Sequence, residues 1–279
     1  MELLRGMDMF RVNGAVWVAS RTIHVPAYDF SFEPLLQLDR PRLEGVHPIV
    51  GRVGAIPDYE ELFQQLEGIG FELINSPTQH ILASELEHWY PLMKEVTPRS
   101  HVYDQFPEID TLLAAFSLPV FIKGNRQTAK HKADLSIART REDLERIAKA
   151  YREDPILHWQ KVVVREFVGL APLEGDSLGK VPLSFEFRTF WWKGQLVGEG
   201  HYWSQFIEYS WTEMQRKAAL DIGEWVANRV EVPFLVIDLA LTKDGRWIVI
   251  ELNDAQESGY AGVDAFRLWR NIVELEGTD

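Results

Sequence analysis

The stretch from Pro233 to Gln256, PFLVIDLALTKDGRWIVIELNDAQ, narrows what the chain can fold into more than any other. Phe234 to Leu241 and Trp247 to Leu252 are dense in β-branched, aliphatic and aromatic residues. Asp244-Gly245 between them accepts the positive φ of a tight turn, so a β-hairpin is predicted. Asp238, Glu251 and Asn253 interrupt this apolar pattern with hard oxygen side chains. With Asp244-Gly245 as a two-residue loop, Asp238 lies opposite Glu251, and Asn253 shares their face because side chains alternate. Carboxylates about 4.5–5.5 Å apart at Cβ repel unless something positive sits between them. Two carboxylates and an amide oxygen suit magnesium, which prefers oxygen ligands and shares its shell with water and phosphate. A solvated strand face is the competing explanation, although an unpaired charge among apolar neighbours is costly. A three-residue loop with a glycine bulge would move the register by one and spoil the opposition, so the pairing is itself a prediction.

The chain has 279 residues and 46% hydrophobic content, enough for a sizeable core in two domains or one multi-lobed unit. It has no cysteine, which excludes disulfides, thiolate metal sites and cysteine nucleophiles. MELLRGMDMFRVNG lacks the apolar run and cleavage site of a secretion signal, and no apolar run approaches membrane-spanning length, so a soluble cytoplasmic protein is expected. A net charge of −13 argues against general binding to nucleic acid or an anionic membrane. Between Phe121 and Arg141, however, six basic residues (Lys123, Arg126, Lys130, Lys132, Arg139, Arg141) face one acid, Asp134. That basic island calls for an anion.

Along the chain, Ala15 to Ala19 and His47 to Val50 read as strands, and Asp58 with Glu61 starts a helix through Leu66 that Gly68 and Gly70 end. Phe71 to Ile74 follows as a strand, making residues 46 to 77 a strand-helix-strand unit of a parallel sheet, Rossmann-like but without a glycine fingerprint. A helix over Ala83 to Lys94, a loop over Val96 to Pro107 and a domain boundary near Leu118 are expected next. Pro119 to Lys123 is a strand ending in lysine, and GNRQTAKHKADLS after it resembles a phosphate-binding loop. Thr140 with Asp143 begins an amphipathic helix, and Val162 to Val168 is a strand. Ser184 to Trp192 and Gln195 to Trp203 form a hairpin about Lys193-Gly194, Thr212 with Gln215 caps a helix to about Val230, and a helix from Ala265 to Leu275 ends the pattern. There is neither a Walker A motif nor a G-x-S-x-G turn.

This order resembles the ATP-grasp fold from roughly Pro119 to Glu274: strand with Lys123, basic loop, helix, Val-Arg-Glu-Phe-Val, a strand with Glu186 and Arg188, helix, then Asp238 and Glu251-Leu252-Asn253. The Phe-Ile-Lys, Val-Arg-Glu-Phe-Val and Phe-Glu-Phe-Arg pattern is most similar to the ATP-grasp clade named for two arginines and one lysine. It is also similar to the eukaryotic cell-division-cycle family that helps assemble a translation initiation factor. The resemblance implies an α+β architecture: a Rossmann-like pre-ATP-grasp domain over residues 1–118, then an ATP-grasp domain over 119–279 with a small lobe to about 166 and a large lobe from about 167. It further implies that ATP and Mg2+ are bound. Lys123 would contact the α- and β-phosphates, Lys130 and Lys132 would lie on a flap over them, and Glu166, Phe167 and Val168 would form the hinge that meets adenine. Arg165 would touch phosphate or pair with Glu166. Arg188 would stabilise the transferred phosphoryl group, although a Lys193-Gly194 turn also places it opposite Glu199 for a cross-strand salt bridge. Asp238, Glu251 and Asn253 would hold the metal.

The chemistry implied is activation of a carboxylate as an acyl phosphate and its capture by an amine or similar nucleophile, which makes Lys123 and Arg188 the catalytic candidates. The substrate partners implied are a carboxylate and an acceptor. The alternative is an ATP-binding assembly protein with a protein partner and no turnover. Weaker candidates for substrate contact are Asn75-Ser76-Pro77, Thr97 to Ser100, and Trp191, Trp192 and Trp203, while His131 in the basic loop reads as a solvated side chain.

Overall fold

A computed structural model describes residues 3–36, 45–54, 56, 58–125, 133–154, 160–175 and 181–277. It opens with an antiparallel hairpin, β1 (Asp8–Val12) and β2 (Val16–Ser20), turned by Asn13 and Gly14 at φ of 44° and 68°. Strand β3 (His47–Arg52) pairs parallel with β2, and helix α1 (Tyr59–Glu67) leads to β4 (Phe71–Leu73), parallel to β3. The strand-helix-strand unit is therefore present, and the Asp58 carboxylate accepts from the Glu61 amide at 2.9 Å to start its helix.

Helix α2 (Pro77–Ser84) begins earlier than the helix expected from Ala83, because Ser76 and Gln79 form a capping box with proline in the first turn. It breaks at Glu85 before the short α3 (Leu86–Trp89). The loop expected over Val96 to Pro107 contains a strand, β5 (Ser100–Tyr103). After α4 (Ile109–Ala115) come β6 (Val120–Gly124), α5 (Ala133–Ser136), β7 (Ile137–Ala138), α6 (Arg141–Glu153) and β8 (Val162–Glu166). These strands form an antiparallel sheet in the order β5-β8-β6-β7. The sheet takes one strand from the N-terminal side of Leu118.

The remaining elements are β9 (Glu186–Trp192), β10 (Gln195–His201), α7 (Glu213–Val230), β11 (Phe234–Leu241), β12 (Trp247–Asp254) and α8 (Ala265–Glu276). Their sheet runs β10-β9-β11-β12, and its strands β9, β11 and β12 are largely buried on both faces. Alternation sends Phe187, Trp191, Leu235, Ile237, Val249 and Leu252 to one core with Trp89 and Val226, from α3 and α7. Phe190, Trp192, Phe234 and Val236 go to a second core with Trp269 of α8 and Val16, Val18 and Val50 of the first sheet. Each such side chain contributes about 1.5–3 kcal/mol by leaving water, and this fixes the register of the strands that carry the charged groups. Among the described residues, no helix is long and apolar enough to cross a membrane.

Candidate functional site

Asp238 does face Glu251, but not through the turn expected from the sequence. The chain turns over three residues, with the Thr242 amide donating to the Arg246 carbonyl at 2.8 Å and Gly245 at φ 84°. That loop moves the register by one. A bulge at Ile250 moves it back, so Leu239 pairs with Val249 while Asp238 pairs with Glu251. The Ile250 carbonyl, freed from the ladder, accepts from Arg165 Nη1 at 2.5 Å.

The two acids lie on the face that carries Asn253, and each has a cation. Asp238, with no exposed surface, accepts a two-pronged pair from Arg188: Nε to Oδ1 and Nη2 to Oδ2, both 2.8 Å. Glu251 is bound by the Lys123 ammonium, which reaches across from β6 in the neighbouring sheet. Burial works against the charge of Arg188, but the Asp238 carboxylate, helped by Glu251, outweighs it and raises the guanidinium above its ordinary value. Asp238, Glu251 and Asn253 offer oxygen donors, the set a hard cation takes, and in this structure the charges of the two acids are balanced by Arg188 and Lys123.

Arg188 does not meet Glu199. A bulge in β10 at Val197 places Arg188 opposite Gly200, and Glu199 instead binds Arg216 of α7 at 2.6 and 2.7 Å. Arg188 Nη1 also donates to the Gly259 carbonyl at 2.8 Å. Arg165 is buried and pairs neither with Glu166 nor with any other carboxylate among the described residues. Besides Ile250, it donates to Ser100 Oγ at 3.0 Å and Thr97 Oγ1 at 2.8 Å. Burial pushes its pKa down to about 10, against the nearby Glu251 charge. Thr97 and Ser100 thus anchor Arg165, and Thr97 Oγ1 also donates to the Val249 carbonyl at 2.9 Å.

Next to the charged cluster lies an apolar cavity of about 330 Å³. Its walls include Phe121, Ile137, Glu166, Phe167, Val168, Leu183, Trp203, Ile248 and Ile250, with Arg165, Arg139, Glu186 and Lys243 at its polar edge. Glu186 stands two residues before Arg188 on β9, and Ile250 directly before Glu251 on β12, so cavity and acids are successive stations on the same strands. The segment expected to act as a hinge, Glu166 to Val168, lines this cavity. The sequence missed Ile248, Ile250 and Lys243, whose alternation on β12 and place beside the Asp244-Gly245 turn were the available signals.

Other candidates are positioned differently. Trp203 lines the cavity, but Trp191 and Trp192 are buried in the two cores. Asn75 is buried and Ser76 caps α2, so that segment is structural. Lys130, Lys132, Arg126 and His131 lie outside the described residues. Among the described residues, Glu85, Glu87 and His88 also cluster, and Lys161 binds both oxygens of Glu87 at 2.8 and 2.9 Å.

A family model for the ATP-grasp domain, family 3 of the clade with two arginines and one lysine, matches residues 92–272, starting before β5. No curated protein matches. Among solved structures, the chain is similar to a RimK domain ATP-grasp protein from Sphaerobacter thermophilus, with a TM-score of 0.54 and 14% identity, covering 82% of this chain and 78% of that one. It is similar to D-alanyl-alanine synthetase A from Vibrio cholerae, with a TM-score of 0.56, 16% identity and coverage of 82% and 76%. N5-carboxyaminoimidazole ribonucleotide synthetase from Thermotoga maritima aligns with a TM-score of 0.51 and 16% identity over 74% of this chain, which spans about half (51%) of that protein. At such identities these likenesses establish the fold.

Proposed function

The chain belongs to the ATP-grasp superfamily, and from that premise we propose that it is an ATP- and Mg2+-dependent ligase joining a carboxylate to an amine or similar nucleophile. Within the superfamily we assign it to the clade named for two arginines and one lysine, with Lys123, Arg165 and Arg188 in those places. The observation that carries the proposal is the convergence of Asp238 and Glu251, each already neutralised by a cation from another strand, at the end of an apolar cavity.

In this account adenine occupies the cavity against Phe167, Val168 and Ile250, and backbone groups of Glu166 to Val168 meet its edge. Asp238, Glu251 and Asn253 would hold Mg2+, which supplies charge to the phosphate oxygens. With their carboxylate partners so engaged, Lys123 turns to the α- and β-phosphates and Arg188 to the phosphoryl group in transfer. The bond between that group and ADP breaks as a carboxylate oxygen takes it, giving an acyl phosphate. The nucleophile's lone pair then attacks the acyl carbon, the bond from that carbon to the phosphate oxygen breaks, and phosphate leaves as the nucleophile gives up its proton to phosphate or water. The protein's part is positioning and charge, as phosphoryl transfer requires. Lys130 and Lys132 are proposed to close over the phosphates, and residues 1–118 to contribute to the acceptor site.

ADP release measured across a panel of amino acids and short peptides tests this. Acceptor-dependent ADP formation is expected. A protein that binds no nucleotide with Mg2+ present would refute the proposal, and tight ATP binding without turnover would favour an assembly protein.

A further inference from the structure

We propose that Asp254, held by Asn75 and His80, is a positioning residue that anchors the end of β12 from behind and so sets Asn253 and Glu251 for a divalent cation. This rests on the metal role given to those two residues above. Asp254 is the last residue of β12, and its side chain points away from the Asn253 face toward α2. A strand end has few ladder bonds to hold it, yet a ligand one residue from that end must keep its place. The structure supplies the missing restraint.

Asp254 Oδ1 accepts from Asn75 Nδ2 at 2.8 Å and from the Gln256 amide at 2.9 Å, and Oδ2 lies 3.1 Å from His80 Nδ1. Asn75, His80, Asp254 and Gln256 are at most 2% exposed. A carboxylate so deep is tolerated because donors meet both oxygens. Asn75 also reads the first residue of β11, donating to the Phe234 carbonyl at 2.8 Å and accepting from its amide at 2.9 Å. One amide therefore ties the end of β12 to the start of β11. Tyr59 stacks on His80 at 3.9 Å, donates to the Asn75 carbonyl at 2.7 Å and accepts from Gln256 Nε2 at 2.5 Å. Gln256 Oε1 in turn accepts from the Gly51 amide of β3 at 2.8 Å. Asn75, His80, Tyr59 and Gly51 all come from the first 80 residues, so the N-terminal part of the chain fixes the strand bearing the oxygen ligands. Outer partners of this kind, though usually bonded to the ligand itself, typically change metal affinity about 10–100-fold when removed.

The test is the Mg2+ midpoint for binding a non-hydrolysable ATP analogue, alongside analogue affinity in EDTA, for D254N, H80A and H80Q, with E251Q as reference. Circular dichroism checks folding. The expected result for D254N and H80A is a midpoint raised about 10-fold or more, with affinity in EDTA unchanged. The H80Q amide can still donate to Asp254 and is expected to restore much of the loss. If D254N does not fold, the H80A and H80Q pair decides alone. Unchanged midpoints in folded D254N or H80A, with E251Q raised, would overturn the positioning role. A midpoint unchanged in E251Q as well would instead remove the metal assignment beneath it.

Discussion

The hairpins β9–β10 and β11–β12 lie side by side in one sheet, and each has one residue more on its second strand than on its first. In each, the carbonyl of the extra residue is taken by a side chain from a packed neighbour: Val197 by Asn271 of α8 at 2.8 Å, Ile250 by Arg165 of β8. A buried carbonyl that leaves its ladder must find another donor. The loops differ. Lys193-Gly194 is a two-residue turn, so the bulge leaves Arg188 opposite Gly200 and sends Glu199 to α7. The three-residue loop of β11–β12 and its bulge cancel, which sets Asp238 against Glu251. One hairpin thus removes a carboxylate from the neighbourhood of Arg188, and the other gathers two. Together they leave Arg188 to Asp238, in the middle of the sheet.

Breaking that arrangement has graded consequences. Asp238→Ala is expected to cost most, about 3–5 kcal/mol, since it strands the Arg188 guanidinium in a buried site. Chemical denaturation measures it, and a loss under about 1 kcal/mol would mean that Arg188 has another counter-ion. Gly200→Ala comes next, at about 3 kcal/mol. The added Cβ would overlap the backbone of Gly262 and Val263, which cannot rotate away, and a fall in melting temperature is the readout. Arg165→Met should cost about 1–3 kcal/mol by leaving the Ile250 carbonyl without its donor, and it should weaken Mg2+-dependent nucleotide binding as the bulge relaxes. Unaltered binding in that variant would show that the bulge holds itself. Glu199→Gln is expected to stay below about 1 kcal/mol, because its pair with Arg216 is partly exposed. A larger effect there would make the two hairpins more alike than their surroundings imply.

Much of this was legible because local chemistry was unambiguous. Thr140, Thr212 and Asp58 announce their helices by side chains that bond three residues on, and all three caps are present. β11 starts and ends where the run of β-branched, aliphatic and aromatic residues places it. Ser76-Pro77 with Gln79 carries the same kind of signal for α2, and Asn13-Gly14 carries one for the first hairpin. The opposition of Asp238 and Glu251 is correct for a reason the sequence did not show, since nothing local at Ile250 announces a bulge whose stabilising donor lies 85 residues away. Arg165 and Arg188 look alike as sequence, each an arginine interrupting a strand. Only tertiary partners distinguish them: backbone and hydroxyl oxygens for one, a carboxylate for the other. The Asp254 cage was hidden for the same reason, since the bonds that join it to the N-terminal part of the chain span 159 to 205 residues.

A crystal structure with a non-hydrolysable ATP analogue and Mg2+ tests the central claim most directly. The expected result is a cation bound by Asp238, Glu251 and Asn253, adenine in the cavity beside Phe167 and Ile250, and Lys123 and Arg188 turned from their acids to phosphate oxygens. Nucleotide bound elsewhere, with the Arg188–Asp238 and Lys123–Glu251 pairs intact, would contradict it.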